Sequence, residues 1–299
     1  MMATVGSPPE VSSKLRKIGF TSFFRIGVSF LCLVQVVSYG EDFDKIFSGH
    51  IISLDLMSAG IGKLDTTIED FYKLAYETVG INHTFYYLKY AYILSLVMLL
   101  LGVLTRPAAI VAFFCNYCLF FGQELLTYGY DIFMSNSLLF CSVFSVHRGV
   151  SVDDYVFFRN KDVVPESFLL KKVLRATLCV VYVFSGLSKA FDGLGWWNGE
   201  KMLAALHFNS SKGSFELIDS ISKFPILLVA AGILTVMLEL SYPLIYYKHL
   251  RSFMLYSIIA MHIGILFMLN LNAFSMIMII WNIVAFYDFD KDRELNLSS

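Results

Sequence analysis

The sequence predicts an all-α integral membrane protein: a bundle of about eight transmembrane helices, N and C termini cytoplasmic, with short amphipathic helices in the outer loops. Composition is the first observation behind this. Apolar residues make up 57% of the 299 and charged residues 16%, and the mean hydropathy is +0.65, well above an ordinary soluble domain. The second is a series of apolar runs, each close to the roughly 20 residues that cross a bilayer. The third is the distribution of basic residues between them. A net charge of -1 gives no electrostatic case for nucleic acid, so the partner that composition points to is the lipid bilayer.

Residues 1–17 read as a cytoplasmic tail, because "MMATVGSPPEVSSKLRK" has no apolar core with a small-residue cleavage site and the first apolar run then remains as an anchor. Spans are expected at about 18–40, 84–104, 107–125, 130–147, 169–190, 224–247, 252–270 and 272–288. Together they form one domain, residues 18–288, followed by a cytoplasmic tail at 289–299. Of the 23 Lys and Arg residues, this arrangement places 14 inside, 7 outside and 2 (Arg25 and Lys89) within spans, the bias expected when cytoplasmic loops are positive. That orientation puts the protein in the cell membrane as a multi-pass protein, with a bacterial inner membrane the expected setting.

Two long segments, residues 41–83 and 191–223, then face outside. In the first, "TTIEDFYKLAYETVG" offers Thr66 or Thr67 as a cap, and Ile68, Phe71, Leu74, Ala75 and Val79 share one face. An amphipathic helix lying on the outer surface is expected there. The five cysteines lie inside apolar runs and behave as small hydrophobes. Cys115 and Cys118 form a C-x-x-C with no second pair or histidine nearby, so no metal site is predicted and helix packing is the expected role.

An ionisable side chain inside a span costs at least a few kcal/mol and needs a partner, a water path or a role. Arg25, Asp131, Lys189, Glu239 and His262 are the five that stand out. Counted from the cytoplasmic ends of their spans, Arg25 and Glu239 are each roughly 10 to 12 Å deep, so they are expected to form a structural intramembrane pair. Asp131 starts the fourth span and Lys189 ends the fifth, on the same outer side. Lys189 can snorkel to the headgroups or, where apolar surroundings favour its neutral form, serve as a general base. His262 can be a satisfied hydrogen-bonding residue or an acid/base group. Trp196 and Trp197 can anchor the outer loop at the interface or stack on a flat ring.

Three separated stretches carry a family resemblance. The first is Ser185-Gly186-Leu187-Ser188-Lys189 followed by Trp196-Trp197-Asn198-Gly199-Glu200-Lys201-Met202. The second is "YGYDIFMSNSLLFCSVFSVHRGVSVDD", a polar entry into an apolar helix that closes in Ser-Val-Asp at 151–153, and the third is His262 with Phe274 and Ser275 twelve and thirteen residues on. With Arg25, Arg106, Asp131 and Glu239, these resemble the HTTM (horizontally transferred transmembrane) family, the membrane domain shared by the vitamin K-dependent gamma-carboxylase and many bacterial proteins.

The resemblance implies a lipid quinol of the menaquinol or vitamin K type as cofactor. It makes Lys189 the candidate base toward that quinol, His262 its orienting or acid/base partner, and Asp131 the residue where the carboxylase carries a histidine. Trp196, Trp197 and Gly199 would form the loop over the site, and a peptide or protein substrate or partner on the outer face is expected. The chain ends about eleven residues after its last span, so carboxylation of a propeptide-bearing protein is not expected of it alone. Two readings follow: a quinol-using modifying enzyme, and a non-catalytic membrane partner or peptide-export accessory in which Lys189 and Asp131 pair. A transporter is disfavoured, because no pair of Gly/Pro-broken spans occupies matching halves.

Overall fold

The computed structural model describes residues 19–40, 43, 81–121, 129–144, 146–157, 166–209 and 223–289. The tails at 1–17 and 290–299, the amphipathic helix expected within 66–80, and the end of the third expected span at 122–125 lie outside the described residues.

Among the described residues the chain is all-helical, with ten α-helices and no strand. They are α1 (Phe20–Tyr39), α2 (Ile81–Leu101), α3 (Thr105–Asn116), α4 (Gly129–Val143), α5 (Val152–Phe157), α6 (Glu166–Phe191), α7 (Glu200–Asn209), α8 (Pro225–Leu240), α9 (Arg251–Met268) and α10 (Asn272–Phe286). A π-helical turn, Tyr117–Phe121, extends α3, and a 3-10 turn, Tyr242–Tyr246, follows α8. The described apolar segments are helical because helices satisfy their own backbone while their side chains stay apolar. Two of the helices, Phe20–Tyr39 and Arg251–Met268, are individually long and apolar enough to cross a membrane. Tyr86–Leu101, Thr105–Phe120, Pro225–Leu240 and Asn272–Phe286 are shorter apolar helices.

The helices pack as two groups. The first four follow one another, α1 on α2, α2 on α3 and α3 on α4, while α6 packs on α8 and α9 on α10. The last helix joins the groups, since α10 touches α1, α4 and α6. Its Trp281 is fully buried and donates from Nε1 to Ser137 Oγ of α4 at 2.8 Å, and Gly27 of α1 lets the side chain of Ile280 approach to where a Cβ would stand at 2.8 Å. One core cluster therefore runs through both groups, from Phe24 and Val28 to Tyr182, Ile258 and Trp281.

The end of the first group where α2 meets α3 is closed by a polar knot. Arg25, with no exposed surface, donates to the carbonyls of Leu99, Leu100 and Val150. Leu99 and Leu100 end α2, so the guanidinium sits on the carbonyl end of a helix, where orphan acceptors and the macrodipole both favour a cation. The chain then turns at Gly102, at φ +74°, where a Cβ would overlap Ser151 and approach the Arg25 guanidinium carbon to 3.1 Å. Leu104 follows at φ 45°, in the left-handed region. It is held there by Asp153, whose carboxylate accepts from Leu104 N at 2.8 Å, Thr105 N at 2.7 Å and Thr105 Oγ1 at 2.6 Å. Ser22 Oγ donates to Arg148 O and accepts from Val150 N, both at 3.0 Å, so the loop after α4 is tied to α1 as well. Burial alone pushes the Asp153 carboxyl up, but these hydrogen bonds together outweigh it and hold the group below its ordinary 3.8.

Candidate functional site

The end of α6 carries "YVFSGLSKAF", in which Tyr182, Ser185 and Lys189 recur at intervals of three and four and so share one helical face. Gly186, between them, faces α8 so closely that a Cβ would meet Leu240 at 3.0 Å and Glu239 Cβ at 3.1 Å. A missing side chain thus lets the two backbones approach, as small residues do between membrane helices, and it brings Glu239 onto Lys189.

Lys189 Nζ donates to Glu239 Oε1 at 2.8 Å, to Glu239 Oε2 at 2.7 Å and to Ser185 Oγ at 2.5 Å. Those contacts account for all three donors of an ammonium group. The lysine side chain is 20% exposed and the carboxylate 8%, and the ring of Trp196 lies 5.4 Å from Nζ. The expected pairing of Glu239 with Arg25 is therefore incorrect. Helix α8 stops at Leu240 and passes into the 3-10 turn that contains Pro243, instead of continuing to 247, so depth counted from the far end misplaces Glu239. Arg25 is satisfied by helix-end carbonyls instead.

The loop after α6 is fixed against α8. A Cβ on Gly232 would overlap the carbonyl of Trp196, and one on Gly199, at φ +81°, would stand 2.8 Å from Val229 N. Trp197 Nε1 donates to Ala190 O at 3.2 Å. Gly199 is thus required by backbone approach and by its left-handed conformation. Beyond it, α7 packs Met202, Leu203 and Leu206 with Leu228, Met268 and Leu269.

Beneath the ion pair runs a chain of hydrogen bonds between neutral groups, anchored on Asn282. Asn282 Nδ2 donates to Met278 O at 2.8 Å, which fixes the amide because a carbonyl only accepts, and it also donates to Tyr182 OH at 2.9 Å. Asn282 Oδ1 accepts from Tyr242 OH at 2.7 Å. The Tyr182 hydroxyl and His262 Nε2 lie 2.7 Å apart and share a hydrogen bond, whose donor is set by the imidazole tautomer. The Nδ1 of His262 is buried and has no hydrogen-bond partner, and neither does the buried Ser275 Oγ of α10. The ring of Phe274 lies 5.7 Å from that of His262, and Lys189 is near enough to His262 to act on it electrostatically.

Asp131, 3% exposed, accepts from Gln35 Nε2 at 2.9 Å, and the same Nε2 lies 3.3 Å from Tyr130 OH. It makes no contact with Lys189, whose partners are Glu239 and Ser185, so the pairing of Lys189 with Asp131 expected of a non-catalytic protein is absent. The structure thus brings Lys189, Trp196 and His262 into one region and leaves Asp131 on the other group of helices. Phe274 lies between them, 6.1 Å from Phe133 of α4 and beside His262.

The chain matches no protein-family model, no curated protein and no solved structure.

Attention to ionisable residues alone passes over Gln35 and Asn282, amides inside apolar helices that organise the two polar clusters. Each is a polar side chain in an apolar helix, and the desolvation cost of an unpaired amide is the signal that finds them. Tyr182 is legible from its place seven residues before Lys189, two helical turns along the same face.

Proposed function

We propose that the chain is a multi-pass membrane protein with about eight spans that binds a lipid-phase quinol between Lys189–Glu239 and His262, as its HTTM resemblance implies. The membrane arrangement is supported by apolar side chains exposed on nearly every long helix. Examples are Phe30 on α1, Leu94 on α2, Ile110 on α3, Ile132 on α4, Val180 on α6, Leu234 on α8 and Phe253 on α9, a distribution that a water-soluble domain does not tolerate.

The observation that carries the quinol reading is the buried, unpartnered Nδ1 of His262. A buried polar atom left unpaired costs about 1 to 3 kcal/mol, so the site suits a ligand that hydrogen-bonds to it, and a quinol hydroxyl can donate or accept. Ser275 Oγ supplies a second unsatisfied polar atom, and Phe274 supplies an aromatic surface. These groups fit a quinol oxygen and ring. A bound quinol would supply an ionisable hydroxyl and reducing electrons.

What the chain does is orient and move a proton. Lys189 in its ion pair already carries its proton and has no lone pair to offer. It becomes a base only when Glu239 takes that proton, leaving a neutral pair in which Nζ can accept another. In apolar surroundings the ionic and neutral forms of such a pair lie closer together than in water. The working base is then the pair, with Ser185 holding Nζ in place.

Lys189→Arg tests this, because arginine keeps the charge and the pair with Glu239 but does not give up its proton. The wild-type protein is expected to yield about one lipid quinone per chain on extraction and mass spectrometry. Lys189→Arg should remain folded and keep the quinone while losing cellular function, and His262→Leu should lose the quinone. Absence of any quinone from the wild-type extract sinks the proposal. A fully functional Lys189→Arg instead supports the second reading, a non-catalytic membrane partner, which the complete satisfaction of the three Lys189 donors favours.

A further inference from the structure

The inner ends of α6 and α9 bring two arginines together. Arg175 Nε donates to Ala285 O at 2.7 Å, and its guanidinium lies 5.2 Å from the centroid of the Phe286 ring. Tyr246, from the 3-10 turn, meets the same ring edge-on at 5.9 Å. Five residues after Tyr246 the chain enters α9 at Arg251, whose backbone N donates to Tyr247 O at 3.0 Å, so the segment that meets the Phe286 ring beside Arg175 also leads directly into Arg251. Like charges held together in a partly apolar setting repel, and an opposite charge nearby is the usual remedy.

Neither arginine forms an ion pair with a carboxylate among the described residues. Arg175 is fixed through Nε alone, which leaves its terminal nitrogens without hydrogen bonds, while Arg251 Nε is buried and unpartnered. Arg251 also opens α9, an 18-residue helix, whose first turn adds partial positive charge. Around the pair, Tyr247, Leu250 and Phe253 are exposed apolar side chains, and Lys172 and Lys248 are exposed as well. The surroundings thus combine apolar surface with positive charge.

We propose that Arg175 and Arg251 bind the phosphodiester of an anionic phospholipid, one headgroup per chain, with the acyl chains lying along Phe253 and Leu250. A phosphate accepts two guanidinium groups at once, and the paired donors give geometric selectivity. The exposed lysines select against a choline or ethanolamine cation. Basic residues at the cytoplasmic ends of helices are where such headgroups are met. This inference rests on the membrane reading above but is independent of the quinol.

The test is native mass spectrometry of the full-length chain, purified from membranes in detergent and titrated with phosphatidylglycerol or phosphatidylcholine of identical acyl chains. Phosphatidylglycerol should be retained at least tenfold more tightly, as a single adduct. Arg175→Gln with Arg251→Gln should lose about tenfold of that preference, whereas Arg175→Lys with Arg251→Lys should retain most of it. Inorganic phosphate at millimolar concentration should not displace the lipid; displacement would mean a free-anion site and overturn the proposal. Equal retention of the two lipids, or an unchanged preference in the Gln variant, also overturns it. A Gln variant that fails to fold leaves the wild-type comparison of the two lipids and the Lys variant to decide. Recovery of the chain in the soluble fraction would instead defeat the membrane reading, so the two failures are distinguishable.

Discussion

Arg25 and Lys189 are both cations taken out of water, yet the molecule satisfies them by opposite means. Arg25 is fully buried and held by backbone carbonyls at the end of α2 and in the loop at Val150. Lys189 keeps a fifth of its side chain exposed and is held by a carboxylate. Carbonyls offer partial charge and never accept a proton, and arginine never surrenders one, so the first site has a single protonation state. The second can exchange a proton internally. One buried cation is a fixture, and the other is equipped to change.

The largest expected effect comes from breaking the fixture. Arg25→Met leaves the carbonyls of Leu99, Leu100 and Val150 without their shared donor and removes the group against which Gly102 turns. A loss of about 3 to 5 kcal/mol is expected, the range for dismantling one side of a buried charged network. Thermal unfolding of the protein in detergent measures it, and a loss below about 1 kcal/mol would contradict the assigned role. No second substitution rescues this variant, because backbone carbonyls cannot be mutated away.

The ion pair should behave differently. Glu239→Gln strands Lys189 beside a neutral amide and is expected to cost about 2 to 3 kcal/mol, less than at Arg25 because the lysine is partly exposed. Replacing both partners, Lys189→Met with Glu239→Leu, should recover most of the loss, since a buried pair is often no more stable than well-packed apolar residues. Failure of the double variant to improve on Glu239→Gln would mean that the pair organises more than itself.

How far these contrasts are legible in the sequence depends on what each one rests on. The helices themselves are readable, because apolar runs near Phe24, Leu96, Leu138 and Ile258 are long and the punctuation between them is polar. The partners of the charges are not. Pairing Arg25 with Glu239 relies on equal depth, and depth fails where the 3-10 turn at Pro243 ends α8 early and where Gly186 admits α8 against the end of α6. Contacts of that kind depend on crossing geometry, which sequence spacing along one helix does not specify. Arg25 is harder still, since its partners are carbonyls that every residue possesses.

A third expectation concerns the acid that supports the fixture from the short helix α5. Asp153 has its carboxyl below its ordinary 3.8 in the folded chain, so the folded state holds its proton less tightly than the unfolded state. Its contribution is therefore complete above about pH 4 and is lost as the pH falls through the lower folded value. Asp153→Asn should cost about 1 to 2 kcal/mol at neutral pH, because the amide keeps one acceptor and loses the other toward Leu104 and Thr105. Its stability should also vary less with pH below 4. Parallel acid-unfolding profiles for wild type and variant would refute the assignment.

The smallest effect bears most directly on the exchangeable site. Ser185 accepts from Lys189 Nζ at 2.5 Å, so it holds the cationic member of the pair. Ser185→Ala removes one neutral acceptor and leaves both carboxylate contacts, for a stability change of about 0.5 to 1 kcal/mol. If Lys189 were only a structural cation, nothing beyond that loss should follow. If Nζ must be held while its proton moves to Glu239, Ser185→Ala should reduce cellular function well beyond its effect on folding, and Ser185→Thr, which restores a hydroxyl, should recover it. Equal, mild behaviour of the Ala and Thr variants would assign Lys189 to the same class as Arg25 and remove the difference between the two sites.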